Sequence, residues 1–348
     1  MPDGFRSPRP RAPRRDSPRK LRGFTLTELL IVIAIIAVLA SLITAASLAA
    51  LRRAKQARIS LALNELSTAL ENFKNDYGAY PPNAAYAATN QTGVGPADLA
   101  YEDFRRALKK AFPRHREPDE LAAALTAYGG AAGRDGPGLV GGGLNGMNAA
   151  EALYFWLGGF SKDPQYPISG PGGPSFLANQ LEQLEGRDGN DVIDVGLLGP
   201  RSDNGTFAGR YVVYEVNVNG AVQRRRINLW QYVPSGSRQP VVYFDASRHA
   251  PQQQWLPAGS GAGAQIYPVT RLPEGVAEAN VTNLAQAVIF ANKGKFQILH
   301  AGIDDAWGNM ALLAPGGGLV YPSGPFIGEL SDNLANFTTG TLAEASEQ

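Results

Sequence analysis

The sequence predicts an α+β protein in which a long N-terminal helix packs against a C-terminal antiparallel β-sheet. The helix is indicated by residues 29–51, which contain no charged residue, and by apolar residues that recur at helical spacing from Ile59 to Tyr77. The sheet is indicated by short runs rich in Val, Tyr and Phe that begin near residue 211 and are separated by turn residues. The fold class follows from this division between a helical first part and a strand-rich second part.

The uncharged run 29–51 is long enough to cross a membrane, because a spanning helix needs about 20 apolar residues. Lys20 and Arg22 precede it, and basic flanks of this kind stay on the cytoplasmic side. Glu28 is the one carboxylate beside the run, and a charge at the edge of the hydrocarbon has a functional role and a partner by default. We therefore expect a single-pass anchor in which Glu28 has a specific task.

Residues 23–30, Gly-Phe-Thr-Leu-Thr-Glu-Leu-Leu, resemble the type III signal of type IV pilins and of type II secretion pseudopilins. The resemblance covers about residues 20–80, and the segment NDYGAYPPN at 75–83 is similar to the turn that follows the long helix of pseudopilins. The resemblance implies that a prepilin peptidase cuts between Gly23 and Phe24 and then N-methylates Phe24.

The resemblance also implies that Glu28 takes part in filament assembly, and the charges agree with this role. Cleavage before Phe24 creates an amine close to the membrane plane, where the Glu28 of a neighbouring subunit can pair with it. The pair would relieve two unfavourable charges at once. The alternative is an ordinary signal anchor in which Glu28 is incidental.

The sequence divides into a removable leader, a helix in two parts and a globular domain. The leader has eight basic and two acidic residues, so the net charge of +1 becomes about −5 once it is removed. Its Pro- and Arg-rich composition predicts disorder, and its charge predicts cytoplasmic retention more than nucleic-acid binding. The predicted parts are the basic leader 1–23, the transmembrane and assembly helix 24–51, its amphipathic continuation 52–77, and the globular periplasmic domain 78–348, in which 78–175 is a helical and loop-rich insert and 176–348 is mainly β-structure.

The continuation of the helix carries a single apolar stripe. Its members are Ile59, Leu63, Leu66, Leu70, Phe73 and Tyr77. A stripe at this spacing predicts contact with the core of the domain, and a short two-stranded coiled coil is the rival interpretation. Gly78 ends the predicted helix, and Pro81 and Pro82 prevent it from resuming.

The rest of the chain is predicted from local patterns. The predicted helices are 98–112, 117–128 and 149–160, the predicted strands are 211–218, 225–233, 239–247 and 296–304, and 281–291 is ambiguous with a preference for helix. Asn219-Gly220 between alternating residues predicts a tight hairpin turn.

Catalytic patterns are weak in this sequence, so we expect no enzymatic activity. The chain has no cysteine, which excludes disulfides, thiolate catalysis and Cys-ligated metals. His115, His249 and His300 lie far apart without metal-ligand spacing, and no Gly-x-Ser-x-Gly elbow occurs. The acidic residues at 188–194 do not complete a calcium loop of the EF-hand type. The Gly-rich stretch 129–146 lacks the ending of a phosphate-binding loop, so we expect a plain loop.

One late group of side chains is suited to calcium. Asp304 and Asp305 follow a strand-like run, Asp332 and Asn333 lie in a second loop, and such oxygen ligands suit Ca²⁺. The run FQILHAGIDD resembles the strand-Gly-x-Asp run before the calcium loop of major type II secretion pseudopilins. This sequence departs from that pattern in the longer Gly- and Pro-rich segment 315–328. The alternative is two polar, turn-forming loops.

The resemblance implies a structural subunit of a type II secretion pseudopilus, closest to the major, G-type pseudopilins. Its expected partners are prepilin peptidase, other pilin or pseudopilin subunits in a helical homopolymer, and the inner-membrane assembly platform, with no nucleic acid. The expected location is the inner membrane, with the N terminus in the cytoplasm and the C-terminal domain in the periplasm. The alternatives are a minor pilin of a type IV pilus, a membrane-anchored periplasmic binding protein and an anchored periplasmic enzyme.

Overall fold

A computed structural model describes residues 25–83, 99–126, 147–174, 195–198, 207–248 and 266–346. The α-helices of this part of the chain are α1 (Leu26–Tyr77), α2 (Leu99–Ala111), α3 (Asp119–Thr126), α4 (Ala149–Leu157), α5 (Leu284–Ala287) and α6 (Leu342–Ser346). The predicted Gly-rich loop 129–146 and the acidic residues at 188–194 lie outside the described residues.

The β-strands of the described residues pair antiparallel in three small sheets. They are β1 (Val195–Leu198), β2 (Phe207–Val218), β3 (Ala221–Tyr232), β4 (Val242–Asp245), β5 (Thr270–Arg271), β6 (Ile289–Phe290), β7 (Phe296–His300) and β8 (Leu334–Ala335). The strand orders are β1-β2-β3, β4-β7-β8 and β5-β6. A long N-terminal helix followed by antiparallel sheets confirms the predicted α+β, pilin-like class.

Helix α1 is continuous over 52 residues, but the chain divides into two compact units between Leu51 and Arg52. The division falls at the end of the uncharged run. At the other end of the helix, Gly78 has a φ of +78° and its N–H donates to the carbonyl of Lys74 at 2.7 Å. This left-handed conformation favours glycine and ends the helix where the sequence predicts it.

The apolar stripe of α1 lies in the core of the domain, which confirms the predicted core contact. Ile59, Leu63 and Leu70 are at most 2% exposed, and Phe73 is 8% exposed. Leu66 is partly buried against the same cluster. The stripe therefore lies on one face of α1 from Ile59 onward, because each step of three or four residues returns to the same side of the helix.

Helices α2, α3 and α4 supply the other side of this core. Phe104 of α2, Leu121 of α3 and Trp156 of α4 are at most 1% exposed, and Phe104 and Trp156 have ring centroids 5.3 Å apart. Trp156 also donates its indole N–H to the carbonyl of Pro82 at 2.9 Å, which fixes the turn after α1. These helices are thus part of the main core together with α1.

Strands β2 and β3 form a hairpin of twelve paired residues on each side, closed by the turn predicted at Asn219-Gly220. Both turn residues have positive φ, 54° and 84°, as a type I′ turn requires. The paired strands begin earlier than the predicted 211–218 and 225–233, because positions 208–210 and 223–224 are small or polar and interrupt the apolar pattern.

The sheet β4-β7-β8 separates the main core from a second one. All five residues of β7 are buried, with Phe296 and Ile298 in the main core and Leu299 in the second. Trp307 and Leu342 complete part of the second core. This sheet is thus buried on both faces, although two of the five residues of β7 are polar.

The β-structure differs from the single sheet that the sequence predicts. Pro268 and Pro273 flank β5 and confine it to two residues, because proline cannot donate to a ladder. The buried Gln297 side chain binds the N–H and the carbonyl of Val269 at 2.8 and 2.7 Å. The segment 281–291 holds both the short α5 and β6, so the preference for helix was right for only part of it.

Candidate functional site: the start of helix α1 and the loops beside Lys55

Glu28 closes a capping box at the start of α1. Its carboxylate accepts hydrogen bonds from the N–H and the hydroxyl of Thr25, both at 2.9 Å, and its own N–H donates to the Thr25 hydroxyl at 3.2 Å. The two residues thereby satisfy free N–H groups of the first turn reciprocally. The pattern Thr-x-x-Glu in the sequence predicts this contact, but the capping box was not among the sequence predictions.

The apolar run that follows Glu28 has no partner within the described residues. Its large apolar side chains are 45% exposed or more, from Val32 at 45% to Leu51 at 66%. Helix α1 is the one helix of the described residues long and apolar enough to cross a membrane. Gly23 and Phe24, the predicted processing residues, lie outside the described residues.

The two predicted calcium loops lie together. One carboxylate oxygen of Asp332 accepts hydrogen bonds from the N–H groups of Ile303 and Asp304, at 2.6 and 3.1 Å. Gly302 allows this approach, since its φ is +77° and a Cβ there would stand 2.3 Å from the Asp332 carbonyl oxygen. Burial, together with the charge of Asp304, raises the pKa of Asp332 despite these hydrogen bonds.

Asp305 faces α1 instead of the second loop. One of its oxygens binds Lys55 Nζ at 2.7 Å, and the other accepts from the Ser237 hydroxyl at 2.5 Å and the Arg238 N–H at 3.1 Å. Lys55 also donates to the carbonyl of Ile303 at 2.7 Å. Burial alone would raise the pKa of Asp305, but these hydrogen bonds outweigh it and lower the pKa.

His300 lies beside Asp305 and Ser237 without forming a catalytic pair. The Gly302 N–H donates to His300 Nδ1 at 3.0 Å, so Nε2 carries the proton of the neutral ring. That Nε2 lies 2.8 Å from the Ser237 hydroxyl and 3.2 Å from the Gln239 carbonyl, both of which can accept. A general base needs a free lone pair towards the serine, so the arrangement ties loops together and does not activate Ser237. Burial lowers the pKa of His300 to about 4.

Two buried oxygens in the second loop lack a hydrogen-bond partner among the described residues. They are Oδ1 of Asp332 and Oδ1 of Asn333, and Asn333 as a whole is 2% exposed. Asn333 Nδ2 donates to the Trp307 carbonyl at 3.1 Å, which orients the amide. Within the ranges that the structure describes, no three His, Cys, Asp or Glu residues form a group able to hold a metal. Any ion here would therefore need amide or backbone oxygens as well.

Comparison with known proteins bears on the N-terminal segment. Residues 18–44 match the family model of the prokaryotic N-terminal methylation motif. The matched segment includes Gly23, Phe24 and Glu28 as well as the first part of the apolar run. Searches of curated proteins and of solved structures each found no match. The chain is thus pilin-like at its N terminus, with an apolar helix that fits single-pass anchoring.

Proposed function

We propose that the protein is a structural subunit of a type II secretion pseudopilus, with no enzymatic activity of its own. The single observation that carries this proposal is the N-terminal methylation motif at residues 18–44. This motif overlaps the first part of α1, whose apolar side chains are exposed on all sides, as expected of a segment that contacts lipid or other helices.

In this proposal, prepilin peptidase removes residues 1–23 in the inner membrane and N-methylates Phe24. The mature helix then leaves the bilayer through the inner-membrane assembly platform and packs against the helices of other subunits, while the globular domain stays in the periplasm. The Glu28 carboxylate pairs with the Phe24 amine of a neighbour. The capping contact with Thr25 supports this step, because it holds the carboxylate at the first turn before a neighbour arrives.

Glu28→Ala tests the assembly step, with Thr25→Ala as the matched control. Removing the charge makes the segment more apolar, so Glu28→Ala should insert and be cleaved normally but assemble poorly. Thr25→Ala loses the hydroxyl of the capping box yet keeps the carboxylate, so it should still assemble. Sheared filament yield and secretion are the measurements. Normal yield from Glu28→Ala, or equal loss from both variants, would refute the pairing role.

We also propose that the paired loops bind Ca²⁺. Asp304, Asp332 and Asn333 offer side-chain oxygens, and backbone carbonyls would complete the six to eight ligands that Ca²⁺ takes. Asp305 can bind the ion as well only if its ion pair with Lys55 breaks. The buried, unpaired oxygens of Asp332 and Asn333 support the proposal.

A melting experiment tests the calcium site. The detergent-solubilised chain should melt at a higher temperature in calcium than in chelator, and Asp332→Asn should reduce the difference. Identical melting curves would discard the site.

A further inference from the structure

The second core leaves an open groove on the surface of the domain. Its volume is about 580 Å³, within the range of sites that bind a ligand or a side-chain cluster. The lining is mostly apolar or glycine, and Glu329 is its one charged residue. Ile327 and Leu312 line it and are 71% and 37% exposed. Two exposed apolar side chains in one concave surface mark an interaction site more strongly than single exposed residues do.

The β2-β3 hairpin presents a projecting apolar residue. Val222 is 62% exposed. The neighbouring residues of the turn, Asn219, Gly220, Ala221 and Gln223, are also exposed. The turn is held by its own contacts, since Gly220 N–H donates to the Asn217 side chain at 2.9 Å. The tip is thus an ordered protrusion, and an ordered loop loses little conformational entropy when it docks.

Charge and shape distinguish this protrusion from two other exposed apolar side chains, Val276 and Leu61. After Val222 and Gln223 the sequence has three consecutive arginines at 224–226, and their charge is opposite in sign to that of Glu329 in the groove. Val276, 41% exposed, is flanked by Glu274 and Glu278, which would repel Glu329. Leu61, 58% exposed, lies on the body of helix α1 and does not project.

We propose that the hairpin tip of one copy docks into the Ile327 groove of the next copy. The surfaces differ, so the contact is heterologous, and a heterologous contact that does not close into a ring extends as a filament. The inference rests on the proposed filament function and names a contact between globular domains that the N-terminal helix does not supply. Val222 fills apolar space beside Ile327, and Arg225 brings a charge opposite to that of Glu329.

The absence of cysteine makes the contact directly testable. Val222→Cys combined with Ile327→Cys, in the full-length protein in membranes of producing cells, should give a ladder of disulfide-linked dimers and larger species under mild oxidation. The matched control combines Val276→Cys with Ile327→Cys, which keeps the groove cysteine and moves its partner to an acidic, exposed loop. Each single variant should give no ladder. All three positions are exposed, so the fold should tolerate them.

Charge reversal provides a second arm. Glu329→Arg in the Val222→Cys, Ile327→Cys background should lower cross-linking by up to about five-fold, the range of an exposed charge pair. Cross-linking of Val222 to Ile327 no greater than the Val276 control would overturn the docking contact, whether or not filaments form. A ladder without filaments would support the contact and count against the proposed filament function. Filaments without a ladder would count against the contact alone.

Discussion

The two halves of helix α1 have the same backbone geometry and opposite exposure. In the first half, up to Leu51, the large apolar side chains are 45% exposed or more. In the second half, Ile59, Leu63 and Leu70 are at most 2% exposed. Helix formation and burial are therefore separate questions, because both halves belong to one continuous helix and only the second half has an apolar stripe bounded by polar residues.

The arrangement follows from charge. The first half has no charged residue after Glu28, so every face is apolar and no face is suited to water. The second half alternates its stripe with exposed polar residues such as Asn64 and Glu65, so one face packs and the other is solvated. An all-round apolar helix needs lipid or other helices, whereas a striped helix needs only one core.

The largest expected effect comes from lysines in the first half. Leu39→Lys with Leu42→Lys should abolish stable membrane insertion, since these positions are near the middle of the run 29–51 and each lysine costs about 2.5–3.5 kcal/mol at the centre of a spanning helix. Leu61→Lys, at an exposed position of the second half, should remain in the membrane fraction. Carbonate extraction of membranes separates the two outcomes. Retention of the double variant would contradict a spanning role for the first half.

A smaller effect is expected from truncation in the second half. Leu63→Ala should lower the free energy of unfolding by about 2–5 kcal/mol, because it leaves a cavity in the main core. Leu61→Ala, two residues away and 58% exposed, should change it by less than about 0.5 kcal/mol. Urea unfolding of the detergent-solubilised chain, followed by tryptophan fluorescence, measures both. Equal effects would mean that the stripe does not define the packed face.

His300 lies in the polar cluster of Lys55, Ser237 and Asp305, and it should make the free energy of unfolding depend on pH. The pKa of His300 is about 4 in the fold against an ordinary value of 6.5. The unfolded chain therefore binds a proton that the fold excludes, and stability should fall by roughly 3 kcal/mol between pH 7 and pH 4. Asp305, with its lowered pKa, adds a loss only at still lower pH.

His300→Gln removes the titrating ring and should flatten this dependence between pH 7 and pH 5. Urea midpoints for both proteins across that range give the comparison. An unchanged slope in His300→Gln would place the proton uptake elsewhere. A flat wild-type profile would show that His300 is already accessible to protons in the fold.

Local patterns in the sequence predicted much of the fold. The helical stripe, the glycine at the end of α1 and the Asn219-Gly220 turn each depend on neighbouring residues, and each was confirmed. The division of the β-structure into three sheets was not predictable, because it depends on pairings such as β7 with β8 between distant segments. The short length of β5 could have been predicted, because the prolines on either side of it are visible in the sequence.

The site was predictable to a lesser degree. The approach of the Asp304 and Asp332 loops was expected, and the structure brings them together. The ion pair of Asp305 with Lys55 joins residues 250 positions apart and leaves no local trace. Its partner Ser237 belongs to a turn with no catalytic pattern, so the cluster can be recognised only once the chain is folded.

We propose that the N-terminal segment is a processed assembly helix. Intact mass and N-terminal sequencing of the protein from membranes test it most directly. The mature chain should start at N-methylated Phe24, because Gly23 is the small residue between the basic flank and the apolar run. An intact leader, or a cut after Ala40 or Ala46 within the apolar run, would contradict it.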